Sequence, residues 1–75
     1  MNINDIGKII KYHRKRSGMT QMELADLAGV GKTVVFDIEQ GKETMQMRTL
    51  WLICGALNIS IIFSSPLMEE YYASM

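Results

Sequence analysis

Apolar residues recur at helical spacing in four successive segments of this 75-residue chain. One side of the first segment is formed by Ile6, Ile9 and Ile10, and one side of the fourth by Met47, Leu50, Trp51, Cys54 and Leu57. The two segments between them are short, and their apolar residues are Leu24, Ala25 and Ala28 in one and Val35 and Ile38 in the other. The pattern predicts an all-α domain with helices at about residues 5–16, 21–28, 32–40 and 47–57.

Residues that start and stop helices flank these segments. Asn4 or Asp5 can cap the first helix, and Gly18 can end it. Thr20 and Glu23 have the spacing of a capping box at the start of the second helix, which can end at Gly29. A turn of only three residues, Gly29-Val30-Gly31, then joins the second helix to the third. This arrangement is typical of a helix-turn-helix motif, whose second helix enters the major groove of duplex DNA.

The amino-acid composition of the chain changes after the fourth predicted helix. Residues 59–63, with the sequence ISIIF, are mostly β-branched or aromatic, and Ser64-Ser65-Pro66 ends the run. We interpret them as a strand that pairs with the same strand of a second subunit, because a lone strand leaves its backbone groups unpaired. A buried turn of helix or coil is the alternative. Residues 67–74 form a C-terminal helix or fray.

Length and cysteine content limit the other possibilities. At 75 residues the chain is near the lower size at which one core is sufficient, which favours a partner subunit. Because Cys54 is the one cysteine, we expect neither an intrachain disulfide nor a metal site. No apolar run reaches the roughly 18–20 residues needed to cross a bilayer, and Met1–Asp5 lacks the basic start of a secretory signal. We expect a cytoplasmic, nucleoid-associated protein without a cofactor or a membrane partner.

The formal net charge of zero argues against a nucleic-acid partner until its distribution is considered. Up to Arg48 the chain has eight basic and six acidic residues, a net charge of +2, and the only later charges are Glu69 and Glu70, a net charge of −2. The basic residues therefore belong to the part of the chain that contains the two-helix motif.

The segment from Ile6 to Ile59 resembles the lambda-repressor/Cro-type helix-turn-helix family. The resemblance lies in the sequence TQMELA, the Gly-Val-Gly turn, IEQGK and the apolar helix that follows, in the family's order. The stretch VVFDIEQGKETMQMRTLWLICGALNISIIF further resembles the HipB-type antitoxins, whose helical domain ends in a strand that pairs across the dimer. The resemblance implies four or five helices and a short strand, with Ile59, Ile61 and Phe63 at the dimer interface.

The same resemblance implies a function. A homodimer would repress transcription by occupying a palindromic operator in double-stranded DNA, with residues 32–40 in the major groove. The HipB likeness adds a HipA-like serine/threonine kinase toxin as a partner, which this protein would restrain while repressing their shared operon. Alternatives are a phage-type or stand-alone repressor without a toxin, and a protein-interaction module that has lost DNA binding, which the zero net charge and Asp37 would favour.

The third predicted helix carries the candidate base contacts. The residues that face away from Val35 and Ile38 are Lys32, Thr33, Phe36, Asp37 and Gln40. A lysine can donate to guanine O6 and N7, a threonine can bond a base or a phosphate, and an aromatic ring can meet a thymine methyl group. Asp37 repels phosphate and accepts only from cytosine N4. The alternative for Phe36 is a packed ring, since aromatic side chains on short helices are often buried.

Other charged and polar residues are candidates for contacts with the DNA backbone. The resemblance implies that Gln21 bonds a phosphate and braces the recognition helix. Lys42, Lys15 and Arg16 are phosphate candidates that add affinity but little discrimination, although a charge run can also be a solvated face. The resemblance also implies a partly buried ion pair between Arg14 and Glu39 that ties the first helix to the third. The alternative is two unrelated surface charges.

Enzymatic chemistry has little support. Gly31-Lys32-Thr33 is similar to the end of a phosphate-binding loop, but Asp26 occupies the position of the required upstream glycine, and no strand precedes it. No serine, histidine and aspartate are ordered into a catalytic arrangement, so no catalytic residue is assigned and the protein is not expected to be an enzyme. Cys54, Met45 and Met47 are expected to pack in the core.

Overall fold

The computed structural model describes residues 3–75, with side chains from Asp5 onward. Within that range the chain forms five helices: α1 (Ile3–Arg16), α2 (Gln21–Ala28), α3 (Lys32–Glu39), α4 (Met47–Ala56) and α5 (Met68–Ala73). Met1 and Asn2, part of the segment considered for a secretory signal, lie outside the described residues. The all-α class predicted from the periodicity is confirmed. Because α1 begins at Ile3, Asn4 and Asp5 lie in its first turn, so the expectation that one of them caps the helix is wrong.

A capping box fixes the start of α2. The Glu23 backbone N–H donates to the Thr20 hydroxyl at 3.1 Å, and the Thr20 backbone N–H donates to the Glu23 carboxylate at 2.9 Å. The hydrogen bond from the Thr20 backbone lowers the pKa of Glu23, with a smaller contribution from the Thr20 side chain. The spacing of Thr20 and Glu23 in the sequence was sufficient to predict this arrangement.

The turn between α2 and α3 depends on a left-handed residue. Gly29 has a φ of +74°, and the Val30 N–H donates to the Ala25 carbonyl at 3.0 Å, which closes the last turn of α2. The end of α4 uses the same geometry with Asn58, whose φ is +59°, while the Ile59 N–H donates to the Cys54 carbonyl at 2.8 Å. The abrupt end of α2 lets α3 start after only three residues.

The core is assembled from the first four helices. Its largest deeply buried side chains, each at most 2% exposed, are Ile10, Leu24, Val35, Ile38 and Ile53. Leu50, Cys54 and Leu57 complete it from the side of α4, and burial raises the pKa of the Cys54 thiol. The expected packing of Met45 is confirmed, since it lies partly buried against this cluster.

The inner face of α4 differs from the one predicted. Met47 and Trp51, assigned to the core from their spacing, are 57% and 54% exposed, whereas Ile53 is fully buried. The helix is therefore rotated so that residues 50, 53, 54 and 57 face inward. Both sides of α4 are apolar, so periodicity alone did not distinguish the inner side from the outer one.

The close approach of α1 and α3 depends on Gly7. A Cβ atom at this position would overlap the carbonyl oxygen of Ile38, so no larger residue fits without a shift of the backbone. Nothing in the sequence marked Gly7, because its role arises from contact with a residue 31 positions later.

The predicted strand at residues 59–63 is absent from the single chain, and the described residues contain no strand at all. A strand needs a neighbour to accept its ladder hydrogen bonds, and residues 3–75 supply none. Ile59 and Ile61 instead pack against the core, while Ile62 and Phe63 are 78% and 64% exposed. No helix in the described range has the length and apolar character needed to cross a membrane.

Candidate nucleic-acid interface

Helix α3 separates its buried residues from its exposed ones. Val35 and Ile38 are 0% and 2% exposed and anchor the helix in the core. Four of the five residues predicted to face outward are exposed: Lys32, Thr33, Phe36 and Gln40. The fifth, Asp37, is half-buried. A short helix held by two apolar side chains thus presents a mostly polar surface to solvent.

A shallow depression joins α2 to this surface. It has a volume of 410 Å³ and is lined by Gln21, Lys32, Thr33 and Phe36, all of them predicted DNA contacts. The Phe36 ring is about half exposed, so the alternative of a ring packed in the core is wrong. Cationic, hydroxyl and aromatic groups therefore lie side by side, as a surface that contacts both base edges and thymine methyl groups requires.

Asp37 lies beside a cation on the other edge of α3. The Lys42 ammonium group donates to the Asp37 carboxylate at 3.4 Å, and both side chains are partly open to solvent. An exposed pair at this distance is weak, so Lys42 can exchange Asp37 for a phosphate at little cost. The pair also offsets the negative charge that counts against Asp37 on a DNA-binding surface.

A buried ion pair fixes the orientation of α3. The Arg14 Nε and Nη2 groups donate to the two carboxylate oxygens of Glu39 at 2.7 and 2.9 Å, and Arg14 Nη1 donates to the Met19 carbonyl at 2.9 Å. The side chains of Arg14 and Glu39 are 10% and 1% exposed. The alternative of two unrelated surface charges is therefore wrong, and α1 and α3 are joined in a defined geometry.

Gln21 extends the same network from α2. Its Nε2 group donates to Glu39 at 3.1 Å, so the side chain braces α3 from the depression described above. Burial raises the pKa of Glu39, but the hydrogen bonds from Arg14 and Gln21, with the charges of Arg14 and Lys11, outweigh it and leave the pKa lowered. The hydrogen bond with Glu39 raises the pKa of Arg14 against the effect of burial. Both charges are thus maintained in the folded protein.

Lys15 and Arg16 lie apart from the depression, at the exposed end of α1. The Arg16 guanidinium carbon is 6.0 Å from the centre of the Tyr12 ring, and its Nη1 is 3.5 Å from the Tyr12 hydroxyl. The structure therefore does not bring these two cations together with the exposed face of α3. Their role as phosphate contacts stays a prediction.

A second depression, which was not predicted from the sequence, lies beyond α3. It has a volume of 270 Å³, and Asp37 and Lys42 share it with Val34, Thr44, Gln46 and Thr49. Gln46, one of the lining residues, is the N-cap residue of α4, and its side chain makes no hydrogen bond with the first backbone N–H groups of that helix. Such N–H groups suit an anionic group. The polar loop Gly41-Lys42-Glu43-Thr44 was the available signal in the sequence.

Comparisons with known proteins agree with this geometry. A helix-turn-helix family model matches residues 10–63. The chain is 37% identical over 62 residues to a protein of Sinorhizobium fredii named as an HTH-type transcriptional regulator, covering 83% of this chain and 82% of that protein. It is also 34% identical over 71 residues to the immunity repressor protein of Bacillus phage phi105, covering 91% of this chain and 49% of the repressor.

A third similar protein carries a different description. The chain is 32% identical over 57 residues to the antitoxin PezA of Streptococcus pneumoniae, a match that covers 76% of this chain and 36% of the antitoxin. The chain thus spans about half the length of the phage repressor and about a third of that of the antitoxin.

Proposed function

This chain belongs to the helix-turn-helix family of transcriptional regulators, and from that premise we propose that it represses transcription by placing α3 in the major groove of operator DNA. The division of α3 into a buried side and an exposed side carries the proposal. Val35 and Ile38 hold the helix in the core, while Lys32, Thr33 and Phe36 remain available for contact. The major groove of B-DNA is about 12 Å wide and accommodates a helix presented in this way.

The side chains on the exposed face have distinct roles in this proposal. Lys32 donates to guanine O6 and N7, Thr33 bonds a base or the adjacent phosphate, and Phe36 contacts a thymine methyl group. Asp37 lies further along the helix, and Gln40 is its C-cap residue. At that end Asp37 can accept from cytosine N4 while Lys42 bonds a phosphate. Gln21, Lys15 and Arg16 contribute to the phosphate contacts that set the register of the protein on the duplex.

The operator is proposed to be palindromic because the repressor is proposed to be a homodimer. In the described chain the backbone N–H groups of residues 60–63 donate to no other backbone group. These groups can be satisfied by the same segment of a second copy, which supports strand pairing across a two-fold axis. Two copies of α3 would then meet half-sites about 34 Å apart.

The exposure of these side chains leads us to revise the residues proposed for the dimer contact. Of the three residues predicted for the interface, Ile59 and Ile61 pack inward in their own chain, and only Phe63 is well exposed. Two exposed apolar side chains adjoin them: Ile62 follows Ile61 in the sequence, and Trp51 lines the same depression as Ile59 and Ile61. We therefore assign the dimer contact to Phe63, Ile62 and Trp51, with Ile59 and Ile61 supporting the segment from below.

A role as an antitoxin is the more specific form of this proposal. It is supported by the likeness of residues 34–63 to HipB-type antitoxins and by the relative named antitoxin PezA. The toxin would be a HipA-like serine/threonine kinase encoded beside this protein. The phage immunity repressor favours the second candidate, a stand-alone repressor. A kinase that co-purifies with the protein and is encoded by the adjacent reading frame would support the antitoxin. Absence of a kinase from the purified protein and from the adjacent reading frame would support the stand-alone repressor.

The double variant Lys32→Ala/Thr33→Ala tests the DNA contact. The probe is a duplex selected by the wild-type protein from a random library, and binding is measured by fluorescence anisotropy. Loss of two contacts of about 1–3 kcal/mol each should weaken binding at least roughly 30-fold. Lys8→Ala removes one positive charge from the exposed surface of α1 and is the matched control. Equal affinity of the double variant and Lys8→Ala would overturn the proposal, and the protein-interaction module would then be the better account.

A further inference from the structure

The C-terminal arm, defined here as residues 64–75, projects from the body of the molecule. No side chain of α5 is buried, and Leu67 and Tyr71 are 67% and 57% exposed. The radius of gyration is 13.9 Å, whereas a compact domain of this length has about 11 Å. The exposed area of 5647 Å² exceeds by about 1,000 Å² the value typical of a compact monomer of 8.5 kDa.

Helix α5 needs a surface to pack against. It has six residues and no side-chain hydrogen bond at its N-cap. Isolated helices shorter than about 12–15 residues are marginal in water, and most helical stability comes from packing of an apolar face. The side chains available for packing are Leu67, Met68, Tyr71 and Tyr72. Within the described residues Leu67, Tyr71 and Tyr72 are exposed, and Met68 is only partly buried.

The same chain offers an apolar surface that is also uncovered. A groove of 270 Å³, here called the receptor groove, runs between α1, α4 and the segment after α4. Its lining includes Ile6, Ile9, Leu50, Ile59, Ile61 and Ile62. Trp51 borders an adjoining depression that shares Cys54, Ile59 and Ile61 with the groove. At about 30 Å³ per water molecule, filling the groove would release several waters from an apolar surface.

We propose that the arm of each copy packs into the receptor groove of a second copy, so that the two chains exchange their C-terminal helices. The inference rests on the homodimer proposed above and adds a contact to it. The chain supplies both halves of the contact, an apolar helix and an apolar groove. The excess exposed area of about 1,000 Å² is close to the roughly 800 Å² per partner of a standard interface. Ser64, Ser65 and Pro66 are exposed and non-helical, and they form the hinge segment that precedes the exchanged helix.

The double variant Leu67→Asp/Tyr71→Asp tests the arm in the full chain. Both side chains are exposed in the single chain, so the substitutions leave its core intact. Sedimentation equilibrium should show the dimer weakened roughly 100-fold, because each lost anchor costs about tenfold. The matched control is Met22→Asp/Leu27→Asp, which places two carboxylates on α2 residues that are 48% and 63% exposed. The control should retain the wild-type dissociation constant.

Trp51 provides a second readout because it is the only tryptophan of the chain and about half exposed. Its emission should shift to shorter wavelength as the wild-type concentration rises through the dimer dissociation constant. In Leu67→Asp/Tyr71→Asp the shift should require a concentration roughly 100-fold higher. An emission spectrum that responds to the arm substitutions but not to concentration would place the arm on its own chain and overturn the exchange.

Mixing two defective variants distinguishes exchange from a contact between like segments. Ile9→Asp alters the receptor groove on α1, outside the residues assigned to the contact between like segments, while Leu67→Asp/Tyr71→Asp alters the arm. In a mixed dimer one intact arm meets one intact groove, whereas neither variant alone retains such a contact. The mixture should therefore dimerise at a concentration at which each variant alone is monomeric.

Besides that emission result, three results would overturn the inference, and they are distinguishable. A dimer of wild-type affinity in Leu67→Asp/Tyr71→Asp would exclude a role of the arm in dimerisation, while the proposed homodimer would stand. A mixture no more dimeric than its components would exclude exchange. A wild-type chain that stays monomeric would exclude both the arm contact and the proposed homodimer. The binding of DNA by α3 would still be tested by Lys32→Ala/Thr33→Ala.

Discussion

Arg14 and Glu39 maintain two charges inside a small core, and their pairing defines how α3 is presented. Each carboxylate oxygen of Glu39 accepts from Arg14, and one accepts from Gln21 as well. Residue patterns alone could not pair two side chains 25 positions apart, and only the resemblance to the lambda-repressor family indicated the partners. The network therefore illustrates a long-range contact that a single sequence does not encode in any local signal.

Removal of one partner should cost more than removal of both. Arg14→Met leaves the Glu39 carboxylate buried without its cation, and we expect a loss of about 3–5 kcal/mol in the free energy of unfolding. Arg14→Met/Glu39→Met removes both charges and should lose less than the single variant. Urea denaturation followed by circular dichroism measures both. A double variant less stable than Arg14→Met would show that loss of the ion pair itself, and not the unpaired buried charge, causes most of the decrease in the free energy of unfolding.

Acid should weaken the domain through Glu39. Its pKa in the folded protein is lowered, so the unfolded chain takes up a proton more readily. The stabilisation is complete above the ordinary glutamate pKa of about 4.3 and is lost as the pH falls through the folded-state pKa. The free energy of unfolding should therefore decline below about pH 5, and less steeply in Glu39→Gln. Glu43→Gln changes an exposed loop carboxylate in the same way and should keep the wild-type slope; a shared slope for all three proteins would contradict this reasoning.

At the level of helices, the residues that start and stop an element were more informative than those that pack it. Thr20, Glu23 and Gly29 located α2 and the turn after it, because capping is a local interaction between neighbours in the sequence. The inner side of α4 was assigned incorrectly, since Met47 and Trp51 are apolar but exposed. Burial depends on which helix lies opposite, and that is decided by the whole fold.

Gly7 and Gly55 offer a matched pair of tests for the contact between α1 and α3. Gly7→Ala should destabilise the protein by about 2 kcal/mol, because the new methyl group overlaps the Ile38 carbonyl oxygen. Gly55 lies in α4 with nothing within 4 Å of a Cβ atom. Gly55→Ala should stabilise the protein by about 0.4–1 kcal/mol, because alanine restricts the unfolded chain. Thermal or urea unfolding provides both values, and a neutral Gly7→Ala would refute the close approach.

At the scale of the whole molecule, the secondary structure of the segment after α4 cannot be predicted from one chain alone. Its composition predicted a strand, but strand formation requires a second strand that only another molecule can supply. The structure instead shows how the segment lies on its own core, with Ile59 and Ile61 facing inward and Ile62 and Phe63 facing outward. The apolar composition was visible in the sequence, whereas the direction of each side chain was not.

Neighbouring isoleucines should therefore respond differently to the same substitution. Ile62→Asp changes an exposed side chain and should leave a folded protein with weakened dimerisation. Ile61→Asp places a carboxylate at a partly buried position and should lower the free energy of unfolding by about 2 kcal/mol or more. Sedimentation and urea denaturation of both variants separate the two effects. Equal stability of the two variants would show that Ile61 does not support the segment from its own chain.

The most direct test of the central claim is methylation protection of operator DNA bound to the wild-type protein and to Lys32→Ala. Dimethyl sulfate modifies guanine N7, which lies in the major groove. If α3 lies in that groove, the wild-type protein should protect guanines in two half-sites roughly one helical turn, or about 34 Å, apart. Lys32→Ala should lose protection at the guanine that Lys32 contacts. Full occupancy of the operator with every guanine N7 left open to modification would contradict the account.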